Sequence, residues 1–136
     1  PRRRRDGRGP VVTAVATIRS IVLECIDPDP LARFWSEVLD RTIVQRDDDW
    51  WSLERRDGEA RMCFQVVEHY EAPPWPGEHG EQQVHLDLEV DDLESARATV
   101  LGLGARQLSD VIDEDDDMGE WQVFADPAGH PFCLVT

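Results

Sequence analysis

From Val15 to Ile26 apolar and polar positions alternate around β-branched side chains, the period-two pattern of a strand. The period then lengthens. Leu31, Phe34, Trp35, Val38 and Leu39 recur at helical spacing, so one stripe of a helix is apolar. Asp29 is the expected cap, with Pro30 at the first position, where a missing N–H costs nothing. Arg41 to Arg46, Trp50 to Glu54 and Arg61 to Val67 return to strand patterns. The polar turns Asp47-Asp48-Asp49 and Arg56-Asp57-Gly58 separate them. Pro73, Pro74, Pro76, Gly77 and Gly80 then break the pattern.

The same order follows again. Gln83 to Val90 predicts a strand, and Asp92 to about Gly102 a helix with Leu93, Ala96, Val100 and Leu101 on one face. Ala105 to Leu108, Trp121 to Ala125 and Phe132 to Val135 predict three strands, with Asp126-Pro127-Ala128-Gly129 as the last turn. The chain therefore divides into an arm (1–14), a first βαβββ module (15–67), a linker (68–82) and a second module (83–136). The fold expected is α+β, its two modules forming a curved, mostly antiparallel sheet around a central cavity. The repeat pairs Ser20-Ile21-Val22-Leu23-Glu24 with His85-Leu86-Asp87-Leu88-Glu89. It pairs Met62-Cys63-Phe64-Gln65 with His130-Pro131-Phe132-Cys133. Ser20 thus matches His85, and Gln65 matches Cys133.

Charge narrows the partners. The net charge is −15 over 136 residues, and five of the 14 arginines lie in the first ten residues. An acidic body of this kind repels phosphate backbones, so nucleic acid is not an expected partner. The arm reads as a disordered tail. No apolar run reaches the length of a membrane span, and the reading is a soluble, cytoplasmic protein. Cys25, Cys63 and Cys133 form no CxxC and fall in strand contexts, as buried free thiols do. The acidic run Asp113–Asp117 lacks the glycine and spacing of a calcium loop and reads as a solvated loop.

Several motifs, in order, carry a resemblance. Asp27-Pro28-Asp29-Pro30-Leu31-Ala32-Arg33-Phe34-Trp35, Val90-Asp91-Asp92-Leu93 and Phe124-Ala125-Asp126-Pro127-Ala128-Gly129-His130-Pro131-Phe132 resemble the first helix, second helix and final hairpin of the vicinal oxygen chelate superfamily. That superfamily includes glyoxalase I, bleomycin-resistance proteins and extradiol dioxygenases. Pro73-Pro74-Trp75-Pro76 followed by Gln82 to Asp87 resembles a glyoxalase-like subgroup common in actinobacteria. The resemblance implies metal ligands on the first and last strand of each module: Ser20, Gln65, His85 and Cys133. His85 fits outright and Gln65 is tolerable. Ser20 stands where an imidazole is expected, and Cys133 replaces a carboxylate. This set reads as degenerate for Mg²⁺, Mn²⁺ or Fe²⁺, with Cys133 and His85 better suited to Zn²⁺.

His85, Asp87 and Glu89 alternate along one strand face; if that face lines the cavity, His85 and Asp87 make a modest acid–base unit, the alternative being a chance alternation. His130 stands where the family often has Asn, and turn chemistry is its default role. Trp35 belongs to the helix stripe and the core. Trp50, Trp51, Trp75 and Trp121 are candidates for a cavity wall or rim, where flat rings stack on planar or cationic ligands. The leading expectation is a protein binding a small aromatic or cationic molecule through Ser20, Trp50, Trp51, Gln65, Trp75, His85, Asp87, Trp121 and Cys133, without a complete metal site. No cofactor is expected under that reading. The alternative is a metal-dependent lyase, isomerase or dioxygenase using His85 and Gln65. Resemblance also raises a homodimer.

Overall fold

A computed structural model describes residues 14–77, 80–113 and 119–136. The Arg-rich arm, apart from Ala14, and Glu114–Asp117 of the acidic run lie outside the described residues. The first module runs β1 (Ser20–Cys25), α1 (Pro28–Leu39), β2 (Ile43–Arg46), β3 (Trp50–Leu53) and β4 (Arg61–Val66). The second runs β5 (Leu86–Glu89), α2 (Leu93–Gly102), β6 (Arg106–Gln107), β7 (Ile112–Asp113), β8 (Glu120–Ala125) and β9 (Pro131–Val135). The modules form separate sheets, ordered β1-β4-β3-β2 and β5-β9-β8-β6, with β7 added on β8. In each sheet the first and last strands of the module pair in parallel, and the other pairs are antiparallel.

Strand ends follow partner length rather than sequence pattern. The alternation begins at Val15, but β4 begins at Arg61, whose N–H bonds Arg19 O and whose register partner is Ser20. Earlier residues have no strand to pair with, and Val15 and Ile18 remain exposed. β5 likewise starts at Leu86 because its partner Phe132 follows Pro131, which has no N–H to donate.

The cap of α1 lies two residues before the expected one. Asp27 is extended, and its carboxylate accepts from Asp29 N–H at 3.1 Å. Pro28 and Pro30 then occupy the first and third helical positions, whose N–H groups would have no intrahelical acceptor. In α2 the cap is Asp92, which accepts from Glu94 and Ser95 N–H.

One core joins the modules. Phe34 and Trp35 of α1 reach Phe132 of β9, with ring centroids 5.8 and 5.2 Å from it. Phe64, Phe124, Leu53 and Leu134 complete a buried cluster drawn from both sheets. A polar link crosses the same boundary. The Trp35 indole donates to Asp126 Oδ2 at 2.9 Å, and Asp126 is itself buried in the β8–β9 turn. Asp126 Oδ1 also accepts from Ala128 N–H and His130 N–H. Among the described residues no helix is long and apolar enough to cross a membrane.

Two substitutions test this junction. Phe132→Ala should cost about 3–5 kcal/mol, because it empties a site shared by Phe34, Trp35 and Phe124. Asp126→Ala should cost at least about 2 kcal/mol, because it orphans the Trp35 indole and two turn amides. Denaturant unfolding checks both, and a loss under 1 kcal/mol for either (roughly the level of a surface change) would contradict the shared core.

Candidate functional site

Strand alternation sorts the side chains into two faces. On β1, Leu23 and Cys25 join the helix-side core, which leaves Ser20, Val22 and Glu24 on the other face. On β4, Met62 and Phe64 face the core, so Cys63 and Gln65 face away. On β9, Phe132 and Leu134 enter the core while Cys133 faces away. Leu86 and Leu88 of β5 pack toward the core, and His85 and Asp87 take the opposite face.

That face of the second module gathers three donors. Asp87 lies opposite Cys133 in the parallel β5–β9 pair, and His85 Nε2 is 3.2 Å from Asp87 Oδ1. One imidazole nitrogen, one carboxylate oxygen and the Cys133 sulfur all lie within 4.8 Å of one another. Burial pushes the Cys133 thiol up to about 12, helped by the negative charge of Asp87 and the hydrogen bond to it. Without a cation the thiol therefore stays protonated at neutral pH.

The first module does not extend this cluster. Ser20 lies opposite Arg61, whereas Gln65 lies opposite Glu24, four strand positions further on. At about 3.3 Å per residue those side chains stand more than 10 Å apart. Of the four wall residues implied by resemblance, the strands bring together His85 and Cys133 but keep Ser20 away from Gln65. The helix caps Asp27 and Asp92 follow Ser20 and His85 at equal spacing, which keeps those two equivalent. The registers then match Val22 with Asp87 and Cys63 with Cys133. Ser20, Val22 and Cys63 are thus the first module's counterpart of His85, Asp87 and Cys133. Gln65 corresponds to Val135 instead.

The tryptophans divide as well. Trp50 lies opposite Gln65 and shares its face. Trp51 points the other way, against the core, with the Arg46 guanidinium 5.3 Å from its ring and its indole donating to Asp47 O. Trp121 lies opposite Val135, on the Cys133 face. Trp75 is half-buried in the connector, before a cis proline.

β1 and β5 are the free edges of their sheets, and both line a cavity of about 360 Å³. Val22, Leu23, Val84 and Leu86 give it apolar walls; Glu24, His85 and His130 add polar groups. Trp35 is the tryptophan that reaches this cavity, although its helix stripe marked it only as core. Glu24 and His130 carried no strong motif. The signal for Glu24 was its alternation with Ser20 and Val22; for His130 it was an imidazole at a turn position where the family often has Asn.

The chain belongs to the glyoxalase-like domain family, which matches residues 20–135. Solved structures agree on the fold. A glyoxalase/bleomycin resistance protein/dioxygenase family enzyme from Burkholderia phytofirmans PsJN superposes with TM-score 0.68 at 13% identity, covering 88% of this chain and 97% of the other. A glyoxalase family protein from Enterococcus faecalis gives 0.68 at 19% identity, covering 90% and 98%. A fosfomycin resistance protein, FosX, from Listeria monocytogenes, complexed with Mn(II), gives 0.67 at 10% identity, covering 90% of each chain. No curated protein matches this chain.

The FosX structure carries Mn(II). A hard cation such as Mn²⁺ favours oxygen-rich coordination, which a thiol and an imidazole beside one carboxylate do not provide. The same three groups suit Zn²⁺. A zinc ion there would be held by His85, Asp87 and Cys133 and would supply Lewis acidity on the helix-free face.

The thiol makes a pH prediction with a definite sign. The Cys133 pKa is higher folded (about 12) than its ordinary 9.0, so the folded state holds the proton longer. The resulting stability is present below pH 9.0 and is lost as pH rises toward about 12. Unfolding free energy of the metal-free protein should fall over that interval, and Cys133→Ala should flatten the fall. An unchanged slope would contradict the buried, protonated thiol.

Proposed function

We propose that this glyoxalase-like protein binds a small aromatic or cationic molecule in the cavity between its modules, without needing a metal. The supporting observation is the cavity itself: apolar walls between two free strand edges, with few polar groups. Glu24 places a carboxylate among those walls, and the chain's net charge of −15 attracts cations over a longer range. The first module's counterpart of the donor cluster, Ser20, Val22 and Cys63, offers one hydroxyl and one thiol, which supports a reading without a two-module metal site.

Phenethylamine, an aromatic ring bearing a cation, is the direct probe. Calorimetric titration should show saturable binding, with quenching of Trp35 fluorescence in parallel. Glu24→Gln should weaken it about tenfold, the scale of one charge-assisted hydrogen bond. Val84→Trp should fill the cavity and abolish it. Saturable binding that ignores both substitutions, or no binding at all, would defeat the proposal.

A second reading rests on His85, Asp87 and Cys133: a metal-dependent lyase, isomerase or dioxygenase of this family. Elemental analysis after zinc loading and dialysis decides it. Stoichiometric zinc lost in both His85→Ala and Cys133→Ser supports this reading, and no retained zinc in the unsubstituted protein rejects it.

A further inference from the structure

His130 is buried but for a small part of its ring, and its Nδ1 lies 2.9 Å from both oxygens of Asp126. Asp126 is an acceptor throughout: the Trp35 indole and the Ala128 and His130 amides already donate to it. The imidazole must therefore present Nδ1–H to the carboxylate, and in the neutral ring Nε2 is then the acceptor nitrogen. That nitrogen is buried and has no hydrogen-bond partner among the described residues. The hydroxyl of Tyr70 is in the same condition. The two rings lie 5.1 Å apart, centroid to centroid, and both line the cavity between β1 and β5.

The ring of His130 is not needed to hold its turn. Asp126 closes that turn through Ala128 N–H and His130 N–H, and Asp126 N–H bonds His130 O. Tyr70 is brought alongside by the connector, which packs Ala72 against Gly129, where φ is +92° and a side chain would collide with Ala72. Two rings are thus delivered to one end of one cavity, each with an unmet polar atom. A buried polar atom left unmet is costly, so a pair of them calls for a group that can meet both. A hydroxyl both donates and accepts, and can meet an imidazole nitrogen and a phenol together.

We propose that Asp126, His130 and Tyr70 form a hydroxyl-recognition site in this cavity, and that the ligand is a hydroxylated aromatic amine. Its hydroxyl donates to His130 Nε2 and accepts from Tyr70, while its ammonium group faces Glu24 on the β1 wall. Asp126 is a positioning residue: it fixes the imidazole tautomer and is held in turn by Trp35. The Tyr70 phenol suits a donor role, because burial pushes it up to about 12, with the charges of Asp126, Cys25 and Glu24 adding to the shift. This inference rests on the cavity-binding reading above and deepens it.

Tyramine and phenethylamine differ only by the phenolic hydroxyl, so their comparison isolates the site. Tyramine should bind the unsubstituted protein about tenfold tighter or better, since a site built for a hydroxyl discriminates against the analogue lacking it. His130→Asn, which keeps a polar side chain at the turn, should erase that preference, bringing the two amines to about the same affinity. Tyr70→Phe should reduce the ratio of tyramine to phenethylamine affinity. In the ¹⁵N spectrum the His130 Nε2 resonance should move with tyramine and stay still with phenethylamine. If phenethylamine binds but tyramine has no advantage, or if the advantage survives in His130→Asn, this inference is overturned and the cavity-binding reading stands. If neither amine binds, both fall. Should His130→Asn fail to fold, Tyr70→Phe and the ¹⁵N response of the unsubstituted protein still decide.

Discussion

A buried carboxylate holds this molecule's two halves in register. Burying Asp126 without partners would be costly, since a charge leaving water loses its solvation. The turn amides of Ala128 and His130, the His130 ring and the Trp35 indole replace that solvation with donors at 2.9 to 3.0 Å. Three of the four come from the hairpin itself; the fourth comes from the first module's helix, 91 residues away. The same indole packs against Phe132, so one side chain contributes both apolar and polar parts of the junction. The separation of β1 from β5, and with it the cavity, depends on that junction.

The modules share a plan and differ in chemistry. Their sheets have matching strand orders and parallel outer pairs. Yet the helix-free face of the second module carries His85, Asp87 and Cys133, and the equivalent positions of the first carry Ser20, Val22 and Cys63. A doubled fold makes equivalent positions available without obliging both to be used. Of that cluster His85 alone lines the cavity between β1 and β5, where Glu24, Tyr70 and His130 interrupt otherwise apolar walls. Such a lining suits the proposed ligand, a small molecule with a hydrophobic body and separate polar ends.

Neighbour interactions along the chain were enough to reveal both helices, nearly all the strands and the duplication. The stripe Leu31-Phe34-Trp35 and the punctuating prolines and glycines are local features, and local physics sets them, although the α1 cap is Asp27 rather than the expected Asp29. The family followed from the same features. His85, Asp87 and Cys133 were each named as candidates from the sequence, Asp87 as an acid–base partner rather than as a third donor beside the other two.

Register was not. Sliding one strand past another by two residues leaves every side chain on the same face, so the hydrophobic pattern is equally content with either pairing. That slip of two is what separates the sequence match of Gln65 with Cys133 from the register that matches Cys63 with Cys133. The Trp35–Asp126 bond and the Tyr70–His130 pairing lie equally beyond periodicity, since they join elements whose approach only the packed core determines. Sequence by itself thus decided which residues face which way along each element. Tertiary structure alone decided which of them meet, because that depends on how elements distant in the chain dock and slide to bury one common core.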